Sequence, residues 1–202
     1  EIVSLAQAVQ AAGANIISTH FCWHEAPVPT IATMVPRAAF TSVTGRLRQV
    51  VQVPVITSNR INMPAVAEAV LARGDADMVS MARPFLADPE FVNKAAAGRS
   101  DEINTCIACN QACLDHTFGG RLQVSCLVNP RACNETLLQY HQSSASKRIA
   151  VVGAGPAGLA FATVAAQRGH RVTLIDSAAE IGGQFNLAKR IPGKEEFHET
   201  LR

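Results

Sequence analysis

Arg148-Ile-Ala-Val-Val-Gly153-Ala-Gly155-Pro-Ala-Gly158 is the stretch whose reading decides the fold. A short apolar run of strand character enters a glycine turn, and the turn opens a helix expected from Ala157 to Arg168. The glycines have separate tasks. Gly153 permits the tight turn, Gly155 lets a pyrophosphate approach the backbone, and Gly158 lets the helix pack on the strand, so that the helix N-terminus faces the anion. A second strand, Arg171-Val-Thr-Leu-Ile-Asp176, ends in an acid placed to accept hydrogen bonds from an adenosine ribose. Strand, turn, helix and acid in register predict a dinucleotide-binding unit rather than an ordinary glycine turn.

Downstream, Glu180-Ile-Gly182-Gly183-Gln184 resembles the FAD site of the glutathione-reductase type, which favours FAD over NAD. That likeness implies adenine-nucleotide contacts at Ala157, Asp176, Gln184 and Lys194. Taken alone, Gln184 and Lys194 read as solvated surface.

Upstream, residues 134–147 carry Gln142, Ser143, Ser144 and Ser146 and read as a linker. Before it the periodicity disappears from Glu102 to Cys133, as in a segment folded around a ligand. Cys106-Ile-Ala-Cys109-Asn-Gln-Ala-Cys113 and then Cys126 give the spacing C-x2-C-x3-C-x12-C. Three close thiolates and a fourth further on suit Cys₄ ligation of a [4Fe-4S] cluster. Zinc competes, but structural zinc sites usually pair two short cysteine knuckles and only one C-x2-C is present. Disulfides are disfavoured, because no secretion signal precedes the cysteines and four of the six lie between positions 106 and 126. Cys133 and Cys22 read as small buried thiols.

The first hundred residues alternate helix and strand. Ile2, Leu5, Ala6, Val9 and Ala12 have helical spacing and end at Gly13, and the run Ala14 to Ile17 reads as a strand. Pro54 to Thr57 is the next strand, Pro64 to Arg73 a helix closed by Gly74, and Asp77 to Met81 a further strand. Such units require a parallel sheet, although three strands cannot close a barrel. Asn59-Arg60-Ile61 and Ser80-Met-Ala82-Arg83-Pro84 follow two of these strands, where Arg60 and Arg83 could clamp a phosphate.

With 48 % hydrophobic residues the chain can build a core, and a net charge of +2 without a basic face argues against nucleic acid. Apolar runs stay short of the ~20 residues that span a bilayer, so neither membrane insertion nor secretion is expected and the cytoplasm is. The chain opens within a helix and stops soon after the second strand of its last unit; truncation at both ends is expected.

Trp23-His24-Glu25-Ala26, Ser58-Asn59-Arg60-Ile61, the run Ala76 to Phe85 and Asn104-Thr-Cys106 through Cys113 together resemble the bacterial 2,4-dienoyl-CoA reductases of the old yellow enzyme family. Gly153 to Gly158 and Gly182 to Glu196 continue the likeness. The resemblance implies an α/β fold in four parts: the C-terminal part of a TIM (β/α)8 barrel that binds FMN (residues 1–101), a [4Fe-4S] segment (102–133), the linker (134–147) and the start of a Rossmann-like FAD domain (148–202). It further implies electron flow from NADPH through FAD and the cluster to FMN, then hydride transfer to a dienoyl-CoA of fatty acid β-oxidation. His24 would deliver the proton, Glu25, Ala26, Pro27 and Val28 would line the acyl pocket, and Arg60, Ala82 and Arg83 would hold FMN. Partners would be the acyl-CoA and NADPH, with no nucleic acid and no membrane, in a monomer or weak oligomer.

Three departures bear on the substrate. The single tyrosine, Tyr140, lies in the linker, so the family's catalytic tyrosine would lie upstream. Ser18-Thr19-His20-Phe21-Cys22 replaces small residues at a strand end, and the last cysteine interval is one residue longer than in the reductases. The other histidines read as structural or surface groups. Alternatives that stay open are an enoate reductase or trimethylamine dehydrogenase-like enzyme of the same layout, and a non-enzymatic zinc-stabilised nucleotide-binding module.

Overall fold

The computed structural model describes residues 1–201, which divide into two compact units, one of Glu1–Cys133 and one beginning at Asn134. In the first unit, helix α1 (Ile2–Ala11) leads into strand β1 (Ile17–Ser18), helix α2 (Thr41–Arg48) into β2 (Val55–Thr57), and α3 (Pro64–Ala72) into β3 (Met78–Val79). The strands are parallel in the order β1-β2-β3, with Ile17 opposite Val55 and Ile56 opposite Met78. Burial explains the central place of β2, whose Val55 and Thr57 are fully enclosed. Val55 packs with Ala6, Leu47 and Val51, and on the other side Ile61, Val70 and Ala76 form a second cluster.

The threonine hydroxyls that enter this core are paired, as burial requires. The Thr44 hydroxyl lies 2.9 Å from those of both Thr19 and Thr57, a chain that ties α2 to the C-terminal ends of β1 and β2. Proline at the first position of α3 lacks an N–H that would have no partner there, which is why the helix begins at Pro64.

After β3 come two short helices, α4 (Arg83–Ala87) and α5 (Phe91–Ala96), then the cysteine-bearing segment with one further helix, α6 (Leu114–Phe118). The run Ala14 to Ile17 is mostly not strand: only Ile17 and Ser18 pair with β2. Helix α2 was not foreseen at all.

The second unit is a single βαβ unit. Strands β4 (Arg148–Val152) and β5 (Arg171–Ile175) are parallel and joined by α7 (Pro156–Gln167), and a short helix α8 (Phe185–Ala188) follows. Residues 143–146 dock on it: Ser143 N–H donates to the Arg168 carbonyl and the Ser146 hydroxyl to the Gly169 carbonyl. Among the described residues no helix is long and apolar enough to cross a membrane.

Candidate functional site

All three strands of the first unit point their carboxyl ends at one cleft of about 390 Å³. Its walls are Ser18 to His20 after β1, Ser58 to Asn62 after β2 and Ser80 to Pro84 after β3, closed by Thr30, Ile31, Cys106 and Leu114. In open parallel sheets and barrels this end is where loops assemble ligand sites. Arg60, Ala82 and Arg83 all line it.

Both arginines are anchored in the framework as well. Arg60 is buried and donates from Nε to the Val35 carbonyl (2.8 Å) and from a terminal nitrogen to that of Thr33 (3.3 Å). Arg83 donates to Asn110 Oδ1 (2.6 Å) and to the Ile31 carbonyl (3.1 Å). These bonds fix both charges at the cleft wall.

Behind the cleft lies a second, mostly apolar pocket lined by Cys106, Cys109, Cys113 and Cys126 with Arg83, Leu86, Ile107, Ala108 and Val128. Cys106 and Arg83 belong to both cavities. The loop is held by its neighbours: Asn62 donates to the Cys106 carbonyl (2.9 Å) and Thr33 to the carbonyls of Ile107 and Ala108. Ser125 N–H donates to the Ala112 carbonyl (2.6 Å), which brings Cys126 back beside Cys113 after the Gly119-Gly120 turn. Burial pushes the Cys106 thiol up, opposed by the Ala108 N–H and the Arg83 guanidinium. Burial likewise raises the Cys126 thiol, opposed by the N–H groups of Val128 and Asn129. Cys133 is exposed and lies outside the pocket.

His24 is not among the residues lining the cleft. Its ring lies between Trp23, edge-on at 5.6 Å, and Phe118 at 4.9 Å, with Glu25 Oε1 3.7 Å from Nε2. Glu25, Ala26, Pro27 and Val28 continue this loop, and Val28 is 52 % exposed. A different histidine reaches the cleft, His20, which the sequence reading passed over. The signal was its place two residues past β1, at the end of the sheet where sites form.

In the second unit Gly153 adopts a φ of +104°, and a Cβ at Gly158 would collide with the Gly153 carbonyl oxygen. The helix–strand contact therefore requires glycine at both positions. A Cβ at Gly155 would meet only the Gly183 Cα, at 4.0 Å. Gly182 N–H donates to the Ala154 carbonyl (2.7 Å), so the two glycine segments adjoin. Asp176 accepts the N–H groups of Ala154 (2.5 Å) and Ala178 (2.7 Å), and the Ala154 bond leads in holding its carboxyl below the usual carboxylate range. Gln184 occupies the N-cap position of α8 without a side-chain capping bond, Ala157 is exposed on the first turn of α7, and the Lys194 ammonium lies 5.6 Å from the Phe197 ring centroid.

Parallel βα units that end in one cleft, a four-cysteine pocket beside it and a βαβ unit with a glycine fingerprint define an α/β chain of the nucleotide-dependent oxidoreductase class. Residues 1–102 match the NADH:flavin oxidoreductase / NADH oxidase family and residues 151–199 the NAD(P)-binding Rossmann-like domain. The chain belongs to the NADH:flavin oxidoreductase / NADH oxidase family, whose match covers half of it. It is 47 % identical to a metal reductase of Desulforamulus reducens over 95 % of its length, and 42 % identical to an NADH oxidase of Thermoanaerobacter brockii over 73 %. It is also similar to the solved 2-naphthoyl-CoA reductase in complex with 2-naphthoyl-CoA, with a TM-score of 0.93 and 33 % identity over 98 % of this chain. The chain spans less than a third of each of these proteins, 28 %, 23 % and 31 % in turn.

Proposed function

We propose that this chain is a segment of an NADPH-dependent reductase of 2,4-dienoyl-CoA thioesters that carries FAD, a [4Fe-4S] cluster and FMN. The observation that carries the reading is the shared wall, Cys106 and Arg83, between the four-cysteine pocket and the cleft. A cluster ligand that also borders a flavin cleft suits electron passage between the two. In this reading residues 1–101 are the end of an FMN barrel, 102–133 the cluster segment, 134–147 a linker and 148–202 the start of the FAD domain.

The cysteine spacing favours a cluster over a zinc ion, because structural zinc sites usually pair two short cysteine knuckles and only one C-x2-C is present. A cubane gives each thiolate its own iron and so tolerates a wider ring of sulfurs around one pocket. The N–H groups of Ala108, Val128 and Asn129 that face the sulfurs favour the thiolate form that ligation needs.

When bound, the three groups supply the electron and hydride chemistry, and the chain supplies placement and charge. Arg60, Ala82 and Arg83 hold the FMN, with both guanidiniums kept at the cleft wall. Gly153, Gly155 and Gly158 open the backbone to the FAD pyrophosphate, and Ala157, Asp176, Gln184 and Lys194 contact its adenosine half. His24 delivers a proton to the substrate carbon, and Glu25 to Val28 border the acyl chain. The likeness to a reductase solved with a conjugated CoA thioester supports the substrate class. A second reading, the same layout serving another electron acceptor, is favoured by the 47 % identity to a metal reductase.

The test is anaerobic purification of the full-length protein, with flavins extracted, iron and sulfide counted, and NADPH oxidation followed with 2,4-decadienoyl-CoA. FMN, FAD, about four irons per chain and thioester-dependent turnover are expected. Cofactors without turnover would move the assignment to another acceptor, and zinc without flavin would replace it with a nucleotide-binding module.

A further inference from the structure

We infer that His20 is a hydrogen-bond donor to the polar edge of the FMN isoalloxazine, its tautomer fixed by Asn59; this rests on the cleft being the FMN site. His20 lies two residues past β1, next to buried Thr19, which donates its N–H to the Ile56 carbonyl (2.8 Å). Asn59 faces it from the end of β2. Two successive left-handed residues, Asn59 (φ +76°) and Arg60 (φ +55°), fold that turn so that the Asn59 side chain reaches back over β1. Neither is glycine, so the conformation is costly and is held by the surrounding contacts.

The amide of Asn59 has its direction imposed. Its Nδ2 lies 3.1 Å from the Phe21 carbonyl, which only accepts, so the amide must present its N–H groups on that side. The same Nδ2 is 3.4 Å from His20 Nε2. An N–H facing Nε2 requires a lone pair there, and a neutral imidazole with its lone pair on Nε2 carries its proton on Nδ1. With Asn59 facing Nε2, the Nδ1–H is the donor that His20 offers the cleft.

The acceptor follows from what shares the cleft. Arg60, Ala82 and Arg83, the proposed FMN contacts, line the same cleft as His20, and in that reading its occupant is the flavin. The flavin offers carbonyl oxygens and ring nitrogens that gain electron density on reduction. A fixed N–H donor favours the electron-rich reduced form and raises the potential.

Holoenzyme variants His20→Ala, His20→Gln and Asn59→Ala, in the full-length protein, test the inference by redox titration. The FMN step is identified by its loss in an FMN-stripped control. For His20→Ala the expected result is normal FAD and iron with an FMN potential lower by about 30 mV, a tenfold change in a two-electron equilibrium. His20→Gln, which keeps an N–H donor, is expected to recover part of that shift, and Asn59→Ala to give a smaller fall. An unchanged potential in both His20 variants would overturn the inference. A raised KM for 2,4-decadienoyl-CoA at unchanged potential would assign the donor to the thioester carbonyl and overturn the flavin assignment. Wild-type protein that takes up no FMN would overturn the cleft reading itself, which separates that failure from this one.

Discussion

The Lys94 ammonium lies 2.6 Å from Asp88 Oδ2, and the same oxygen receives the backbone N–H of Asn104 at 2.9 Å. Lys94 also donates to the Glu102 carbonyl (2.8 Å), and Asp88 Oδ1 takes the N–H of Glu90. One buried carboxylate therefore fixes the end of α4, the start of α5 and the backbone two residues before Cys106. Asp88→Ala would leave an ammonium and two N–H groups without their acceptor, and it is expected to destabilise the first unit by about 3 kcal/mol. Asp88→Asn keeps an oxygen for Asn104 and should lose less. Denaturant unfolding with iron content measured alongside checks the order; equal stability in both variants would contradict it.

The fingerprint glycines should fail in different ways. Gly158→Ala drives a Cβ into the Gly153 carbonyl, so the second unit is expected to misfold and FAD to be lost. Gly155→Ala has room, at a φ of −75° that alanine adopts freely, and should fold at least as stably while FAD retention drops about tenfold or more. Circular dichroism with extracted FAD and FMN separates the cases, because FMN should stay in both.

Acid should weaken the first unit through Asp77. Its carboxylate accepts the Val55 N–H (2.9 Å) and Arg48 Nε (2.9 Å), and the Val55 bond leads in holding its pKa below 3.8. A group with a depressed folded-state pKa adds stability that is fully present above its unfolded value and is lost as the pH falls through the folded one. The stability gap between wild type and Asp77→Asn should be constant between about pH 5 and 7 and shrink below about pH 4. A gap that did not narrow at all as the pH fell below about 4 would assign the role to shape rather than charge.

The βα units and the dinucleotide turn were legible because periodicity and glycine punctuation are local signals. Strand bounds were not, since β1 is defined by its pairing to Val55 and Ile56 and not by the apolar run before it. Helix α2 escaped because Thr41-Ser-Val-Thr-Gly45 offers little helical periodicity; it is stabilised from outside, by Thr44 between Thr19 and Thr57 and by Thr41 on Asp75. Gly45 is small because a Cβ there would meet Asp75 Oδ1 at 3.2 Å. The gathering of four cysteines could be read from spacing. Their shared wall with the cleft, and the pairing of His20 with Asn59 from 39 positions away, exist only once the sheet has formed.

The last prediction concerns the fourth ligand of the proposed cluster. Spacing alone leaves Cys126 and Cys133 in contention, because loop closure cost rises too slowly with length to separate them. Three features of the fold favour Cys126. It lines the pocket with Cys106, Cys109 and Cys113, and the bond from Ser125 N–H to the Ala112 carbonyl holds it beside Cys113. Its sulfur is faced by the N–H groups of Val128 and Asn129, and a bridge between Cys126 and Asn129 shapes that turn. Cys133 is exposed, outside the pocket, with its carbonyl taking a hydrogen bond from Gln123. Bringing Cys133 to the pocket would require the turn from Cys126 to Ala132 to unfold, including the bond from Asn129 to the Leu86 carbonyl. Anaerobic reconstitution of Cys126→Ala in the full-length protein should therefore leave iron and sulfide well below four per chain and stop NADPH-driven FMN reduction, while Cys133→Ala keeps both. A full cluster in Cys126→Ala together with a lost one in Cys133→Ala would reverse the assignment.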